Sequence, residues 1–185
     1  MNTHARQYEG ARRPTPHDLL DFILAEHLNH RRMCRTLQRL AETDEFDAAS
    51  ITALLDFIRF DLTLHVIDEE EDIFPLLRSR CEPEDEVDEV LNRLTVEHTT
   101  DKELSVRARD VLNACLILRK PPRSIIGGVD ALLAFAQHEL RHLTLENAVI
   151  VPLARRRLSQ EDLTLLSEKL LARRARVSAS SPGEH

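Results

Sequence analysis

Histidine is frequent in this chain, and four of its nine histidines fall on helical faces that are otherwise apolar. Two glutamates share those faces, and the full set is His27, His65, Glu69, His98, His142 and Glu146. A glutamate inside a protein core is unfavourable unless it is paired or binds a metal ion. Six such side chains at a similar depth would make a poor apolar core but a good coordination shell. We therefore predict a metal site.

The spacing of these residues indicates a site for two metal ions. His65 and Glu69 are four residues apart, as are His142 and Glu146, and residues i and i+4 lie on the same side of a helix. Each pair can present an imidazole nitrogen and a carboxylate to adjacent metal ions, because carboxylates bridge cations while imidazoles fill terminal positions. Imidazole and carboxylate together favour iron, manganese or zinc.

A weak internal repeat supports a dinuclear centre. Residues 65–80 and 142–157 match at an offset of 77, and each segment contains His-x-x-x-Glu and a later proline. Glu26-His27 corresponds in the same way to Glu97-His98. The repeat predicts two helix pairs related by a pseudo-two-fold axis that passes through the centre.

Four long helices are needed to bring these residues together, and the sequence predicts them. Residues 15–18, Thr-Pro-His-Asp, are typical of a helix start, with threonine as the N-cap and proline at the first helical position. We predict an all-α, up-down-up-down four-helix bundle over residues 15–157, followed by a short amphipathic helix over residues 158–176. Residues 1–14 are expected to form a flexible arm and residues 177–185 a disordered tail.

Composition and charge argue against several classes of protein. The 25 basic and 32 acidic residues give a net charge of −7, which disfavours nucleic-acid binding. The most apolar stretch, residues 125–136, is too short to span a bilayer, so no membrane association is expected. No signal peptide is visible, and the three scattered cysteines form no disulfide framework, so we expect a cytoplasmic location. An aromatic content of 4% predicts that leucine and alanine close around the centre without bulky rings.

Over residues 17–157 the pattern resembles the haemerythrin-like (HHE cation-binding) family in its bacterial four-His, two-Glu form. The resemblance implies two iron ions joined by a bridging oxo or hydroxo group, with manganese or zinc as substitutes. Glu69 and Glu146 would bridge, and the four histidines would be terminal ligands. Oxygen-carrying haemerythrins have a further histidine where this chain has Lys102, and an aspartate where it has Glu146. The resemblance therefore does not favour simple oxygen storage.

Three further polar residues lie one helical turn from predicted ligands. His138 is either a fifth iron ligand, a hydrogen-bond donor near the centre, or a half-buried residue at the edge of the core. His30 and Asp101 either hydrogen-bond to the ligand histidines or face solvent.

Charged residues near the site have simpler predicted roles. In the acidic run 68–72, Asp68 and Glu71 are expected to face solvent, and Glu70 could swing towards the metal ions. Arg173-Arg174 is expected to complement the C-terminal end of a helix.

These observations favour a non-haem di-iron protein that binds or reacts with dioxygen, peroxide or nitric oxide, in oxidative or nitrosative stress response or in iron or oxygen sensing. One alternative is an enzyme that repairs iron centres or decomposes peroxide, and another is a metal-free protein-interaction module. The expected partners are a small diatomic ligand or peroxide and an electron-transfer or iron-accepting protein. We expect a monomer or a homodimer.

Overall fold

The fold is helical throughout the part of the chain that the computed structural model describes, which is residues 19–180, with side chains to residue 177. The helices are α1 (Leu19–Glu42), α2 (residues 48–80), α3 (Val87–Leu118), α4 (residues 128–157) and α5 (Gln160–Ser180). The predicted all-α class is confirmed. The predicted arm and helix start, residues 1–18, lie outside the described residues, as do residues 181–185. Within residues 19–180 no helix combines the length and the apolar character needed to cross a membrane.

Two apolar clusters fill the two ends of the bundle and leave a polar layer between them. One cluster joins the start of α1 to the end of α2 and includes Leu20 and Phe74, together with the start of α3 and the end of α4. The other cluster joins the opposite ends of the same helices and includes Leu37 and Phe135. This alternation requires consecutive helices to run in opposite directions, as the sequence predicts. The predicted ligands occupy the layer between the clusters.

α2 and α4 each contain a wide π turn that begins at a predicted bridging glutamate. The two segments are Glu69–Ile73 and Glu146–Ile150. After each segment, a backbone N–H donates to the carbonyl five residues back, from Phe74 to Glu69 and from Val151 to Glu146. Such π turns occur frequently at functional sites.

Prolines explain why the turns widen at these places. Pro75 and Pro152 lie within the helical turn that follows each π segment. Proline has no N–H to donate, and in a regular α-helix its ring collides with the carbonyl four residues earlier. A wider turn directly before the proline gives the ring room, so α2 and α4 continue to Arg80 and Arg157.

α5 packs against the acidic run of α2 and neutralises it. Arg174 donates to Asp68 over 2.7 Å, and Lys169 donates to Asp72 over 2.8 Å. Arg173 pairs with both of these aspartates. The expectation that Asp68 faces solvent is wrong, because α5 covers it and leaves the residue only 1% exposed. Arg173 and Arg174 are partners of α2 rather than cations that complement a helix end.

The last helix is longer than the sequence indicates. It includes residues 177–180, which were expected to belong to a disordered tail. Valine, serine and alanine are compatible with a helix, and the sequence has no glycine or proline between Pro152 and Pro182. Nothing in the sequence therefore forces the helix to end at residue 176.

Candidate metal centre

The six predicted ligands lie together in the polar layer at the middle of the bundle, and every one of them is buried. Their donor atoms form two groups, and within each group all the atoms lie within 4.8 Å of one another. We call the group that contains His27 and His65 the His27 position, and the group that contains His98 and His142 the His98 position. Glu69 and Glu146 belong to both groups.

Each shared glutamate directs one carboxylate oxygen towards each position. Glu69 places Oε1 3.6 Å from Nε2 of His65 and Oε2 3.2 Å from Nε2 of His98. Glu146 places Oε2 3.6 Å from Nε2 of His27 and Oε1 2.9 Å from Nε2 of His142. This is the arrangement that two carboxylates need to bridge a pair of cations. The histidines supply Nε2 in every case.

The other ring nitrogen of each histidine at the His98 position is held by a carboxylate. His98 donates from Nδ1 to Oε1 of Glu70 over 2.6 Å, and His142 donates from Nδ1 to Oε2 of Glu97 over 3.2 Å. Metal-binding histidines typically donate from the second nitrogen in this way, which fixes the ring and directs the lone pair of Nε2 at the metal. Glu70 therefore acts through His98 and does not swing towards the metal ions.

The corresponding contacts at the His27 position differ in kind. His27 donates from Nδ1 to Oδ1 of Asn147 over 2.8 Å. Nδ1 of His65 lies 3.6 Å from Oε2 of Glu26, and the other oxygen of Glu26 accepts from Arg174 over 2.6 Å. No contact of Glu26, Glu97 or Asn147 was expected from the sequence. The repeat carried a signal, because it pairs Glu26 with Glu97, and the offset of 77 pairs Glu70 with Asn147.

Close packing of these groups perturbs their pKa values in opposite directions. Burial lowers the pKa of His142, but Glu146 and other carboxylates outweigh burial and raise it to about 10. Burial and Glu146 together raise the pKa of Glu69 to about 7. Burial and the neighbouring His65 lower the pKa of His27 to about 4. Because protons and metal ions compete for the same atoms, binding of metal ions must release protons.

Several donor atoms of the centre have no hydrogen-bond partner among residues 19–177. They include Nε2 of His27, Nε2 of His65 and Oε2 of Glu146. Nε2 of His98 and Nε2 of His142 face each other at 3.0 Å, so a proton must lie between these two nitrogens in the metal-free protein. Buried polar atoms without partners are unfavourable. Cations bound at the two positions would satisfy all of these atoms, and the donor set fits iron, manganese or zinc.

The three supporting candidates lie beside the two positions and outside them. His138 is 13% exposed in its side chain and donates from Nε2 to the backbone carbonyl of Glu97 over 3.2 Å. His30 donates from Nδ1 to Glu139 over 2.7 Å, and both residues are buried. Asp101 is also buried, so neither His30 nor Asp101 faces solvent. Burial and Glu139 raise the pKa of Asp101 to about 8.

Aromatic rings border the centre, contrary to the expectation from composition. Phe74 stacks on His98 with ring centroids 5.8 Å apart and an interplanar angle of 6°. Phe57 meets the ring of His30 edge-on at 4.8 Å. The chain has few aromatic residues, but helical packing places some of them against the polar layer, where composition alone cannot locate them.

An apolar pocket reaches the centre from the end of the bundle that α5 covers. Three donors of the His27 position, His27, Glu69 and Glu146, lie in its wall. The rest of the wall is apolar and includes Ile23, Ile150, Ala154 and, from α5, Leu166. His98 and His142 do not line this pocket. A small molecule in this pocket would therefore lie beside the His27 position.

The match to known families covers the whole of this centre. Residues 18–154 match the family described as Hemerythrin HHE cation binding domain. That span is most of the 185 residues and contains all six donor residues. A search among curated proteins gives no match. With a cation-binding family profile over the bundle and two buried His/Glu groups at its middle, the chain belongs to the Hemerythrin HHE cation binding domain family.

Proposed function

We propose that this chain is a non-haem di-iron protein that binds or reacts with dioxygen, peroxide or nitric oxide, in stress response or in iron or oxygen sensing. The observation that carries the proposal is the orientation of Glu69 and Glu146, each of which directs one oxygen to each position. Imidazole and carboxylate donors suit iron. When bound, an iron pair supplies reversible oxidation and an open coordination position for a small ligand.

The chain provides four donors at each position and leaves room for other ligands. Two histidine nitrogens and one oxygen from each glutamate meet at each position. Iron commonly takes more than four ligands, so these donors would hold each ion and still leave room for a further small ligand. The outer partners of the histidines hold the rings in place, and the apolar clusters above and below exclude water.

The pocket at the His27 position favours a small uncharged ligand. Its wall is apolar except for the donors themselves. Dioxygen and nitric oxide are uncharged and small, so they lose little hydration in an apolar passage, whereas an ionic substrate would have to lose its hydration shell on the way to the centre. This observation favours binding of a diatomic ligand over turnover of a charged substrate.

Metal analysis after anaerobic reconstitution with ferrous iron tests the metal assignment. We expect about two iron ions per chain and near-ultraviolet absorption after exposure to air. His65→Ala should lose at least one of the ions, whereas His138→Ala, which alters a histidine outside both groups, should retain two. Circular dichroism of the metal-free variants checks that both fold. If the wild-type chain binds no iron, the proposal is wrong.

A pocket-filling variant tests the ligand assignment. Ala154 is 2% exposed and lies in the pocket wall, so Ala154→Leu adds bulk where the ligand would enter. We expect this variant to keep its iron but to bind nitric oxide more weakly in an anaerobic spectroscopic titration of the ferrous protein. Equal affinity of the variant and the wild type would contradict the role of the pocket.

A further inference from the structure

The two halves of the centre are related by the internal repeat, but the repeat is broken at one outer residue. At the offset of 77, Glu70 corresponds to Asn147. Glu70 accepts from His98 over 2.6 Å, and Asn147 accepts from His27 over 2.8 Å. Equivalent histidines therefore have a charged partner in one half and a neutral partner in the other. A carboxylate partner makes the histidine a stronger metal ligand than an amide partner does.

A second difference acts in the same direction. Glu97 accepts from His142 over 3.2 Å, and its other oxygen accepts from Arg93, whose side chain is 67% exposed. Its counterpart Glu26 lies 3.6 Å from His65, beyond normal hydrogen-bond distance, and pairs with an arginine that is buried. Water screens a charge at the surface far more than one in the interior. The buried arginine therefore offsets more of the charge of Glu26 than the exposed Arg93 offsets of the charge of Glu97. Glu26 polarises His65 less than Glu97 polarises His142.

The accessible surfaces of the two positions also differ. The His27 position lies in the wall of the apolar pocket, whereas the ring of His98 is covered by Phe74. The position with the weaker outer partners is thus also the one that lines the apolar pocket.

We propose that the two metal positions are unequal, with the His98 position filled first and held more tightly, and the His27 position filled second and exchanged more readily. Asn147 and Glu70 are the positioning residues that set this difference. The inference rests on the proposed function, because it concerns the same pair of metal ions. It adds an order of loading and assigns the exchangeable ion to the pocket side.

Titration of the metal-free protein with Co²⁺ alone, against a competing chelator, tests the inference. Loss of an outer partner of a metal-binding histidine typically weakens metal affinity by about 10–100-fold. The wild type should therefore bind Co²⁺ in two steps whose affinities differ by at least about tenfold. His98→Ala should remove the tighter step, and His27→Ala should remove the weaker one.

Two isosteric substitutions form a matched pair. Glu70→Gln removes the charged partner of His98 and should weaken the tighter step by about 10–100-fold. Asn147→Asp gives His27 a charged partner and should strengthen the weaker step by a similar factor. Neither change alters the size of a side chain, and Glu70 is 32% exposed. Thermal unfolding of the metal-free variants should therefore stay close to that of the wild type.

The outcomes separate this inference from the proposed function. If two ions bind with equal affinity, or if Glu70→Gln weakens the step that His27→Ala removes, the inference is overturned while the di-metal centre stands. If no Co²⁺ binds to the folded wild type, and ferrous iron does not bind either, the proposed function fails and the inference fails with it. The inference is supported if Co²⁺ binds in two unequal steps, if Glu70→Gln weakens the tighter step and if Asn147→Asp strengthens the weaker one.

Discussion

Replacement of Glu69 by glutamine should have opposite effects on the metal-free and the metal-loaded protein. Burial and the charge of Glu146 raise the pKa of Glu69 to about 7, so the metal-free fold favours the protonated carboxyl. Glutamine has the same shape and is permanently neutral, so it removes the cost of a buried negative charge beside Glu146. The same substitution removes the carboxylate that faces both His65 and His98. Metal binding should therefore be lost.

The sign and size of the expected change in stability follow from the pKa of Glu69 in the folded and unfolded states. The folded pKa is about 7 against 4.5 for an unperturbed glutamate, so the folded state binds the proton more tightly. Stability therefore falls as the pH rises from 4.5 to 7 and stays low above 7. This difference in pKa corresponds to a change of roughly 3 kcal/mol in the free energy of unfolding. For a chain of this length, 1 kcal/mol changes Tm by about 2–4 °C. We expect Glu69→Gln to raise Tm by roughly 6–12 °C at pH 8.

The assay is thermal unfolding in a chelator at pH 5 and pH 8, repeated with added ferrous iron or Co²⁺. In the wild type, metal at 100 times its Kd should stabilise by about 2.7 kcal/mol, or roughly 5–10 °C. Glu71→Gln is the matched control, because its side chain is 65% exposed on the same turn, and it should change neither result. The reasoning is refuted if Glu69→Gln destabilises the metal-free protein at pH 8, or if metal still raises its Tm as in the wild type.

Three further predictions concern residues around the centre. Arg174→Met should lower the free energy of unfolding of the metal-free protein by about 3–5 kcal/mol, because the largely buried Glu26 loses its arginine and Asp68 keeps only Arg173. Urea unfolding measures this, and replacement of an exposed arginine, Arg155→Met, should change the free energy by less than about 1 kcal/mol. Burial and a neighbouring carboxylate raise the pKa of Asp101 from 3.8 to about 8, so stability falls over that range. Asp101→Asn should then gain stability over the wild type at pH 8.5 but not at pH 4, and an equal gain at both would contradict this. Cys34 and Cys115 are buried and Cys81 is partly exposed, so a thiol reagent should label Cys81 first. Labelling of all three thiols at the same rate in the folded protein would contradict this.

The positions of the donors on the helices could be predicted because helical periodicity is a local property of the sequence. His27, His65, His98 and His142 each fall on the face of their helix that is otherwise apolar, and a bundle must bury that face. Contacts between distant segments are different. The pairing of Asp68 with Arg174 joins residues 106 apart, and no local period specifies which helix will cover an acidic run.

The outer partners of the histidines show the limit of prediction from the sequence. Glu26 and Glu97 are equivalent in the repeat, so the sequence indicated that they share a role. It did not indicate which histidine each of them contacts. Glu139 gave no such signal, because its counterpart at the offset of 77 is Leu62. The π turns were also beyond the pattern, since a spacing of four fits an α-helix and a π turn nearly equally well. Only Pro75 and Pro152 indicated a change in backbone geometry.

The relation between the two halves also determines how the chain is held together. The hairpin of α1 and α2 and the hairpin of α3 and α4 each carry two histidines and one glutamate of the centre. Glu69 of the first contacts His98 of the second at 3.2 Å, and Glu146 of the second contacts His27 of the first at 3.6 Å. Bound metal ions would therefore be a cross-link between two otherwise complete hairpins. A chain cleaved in the loop at residues 81–86 would divide the donors equally, so its two fragments, which the apolar clusters also join, would associate more tightly with metal than without it.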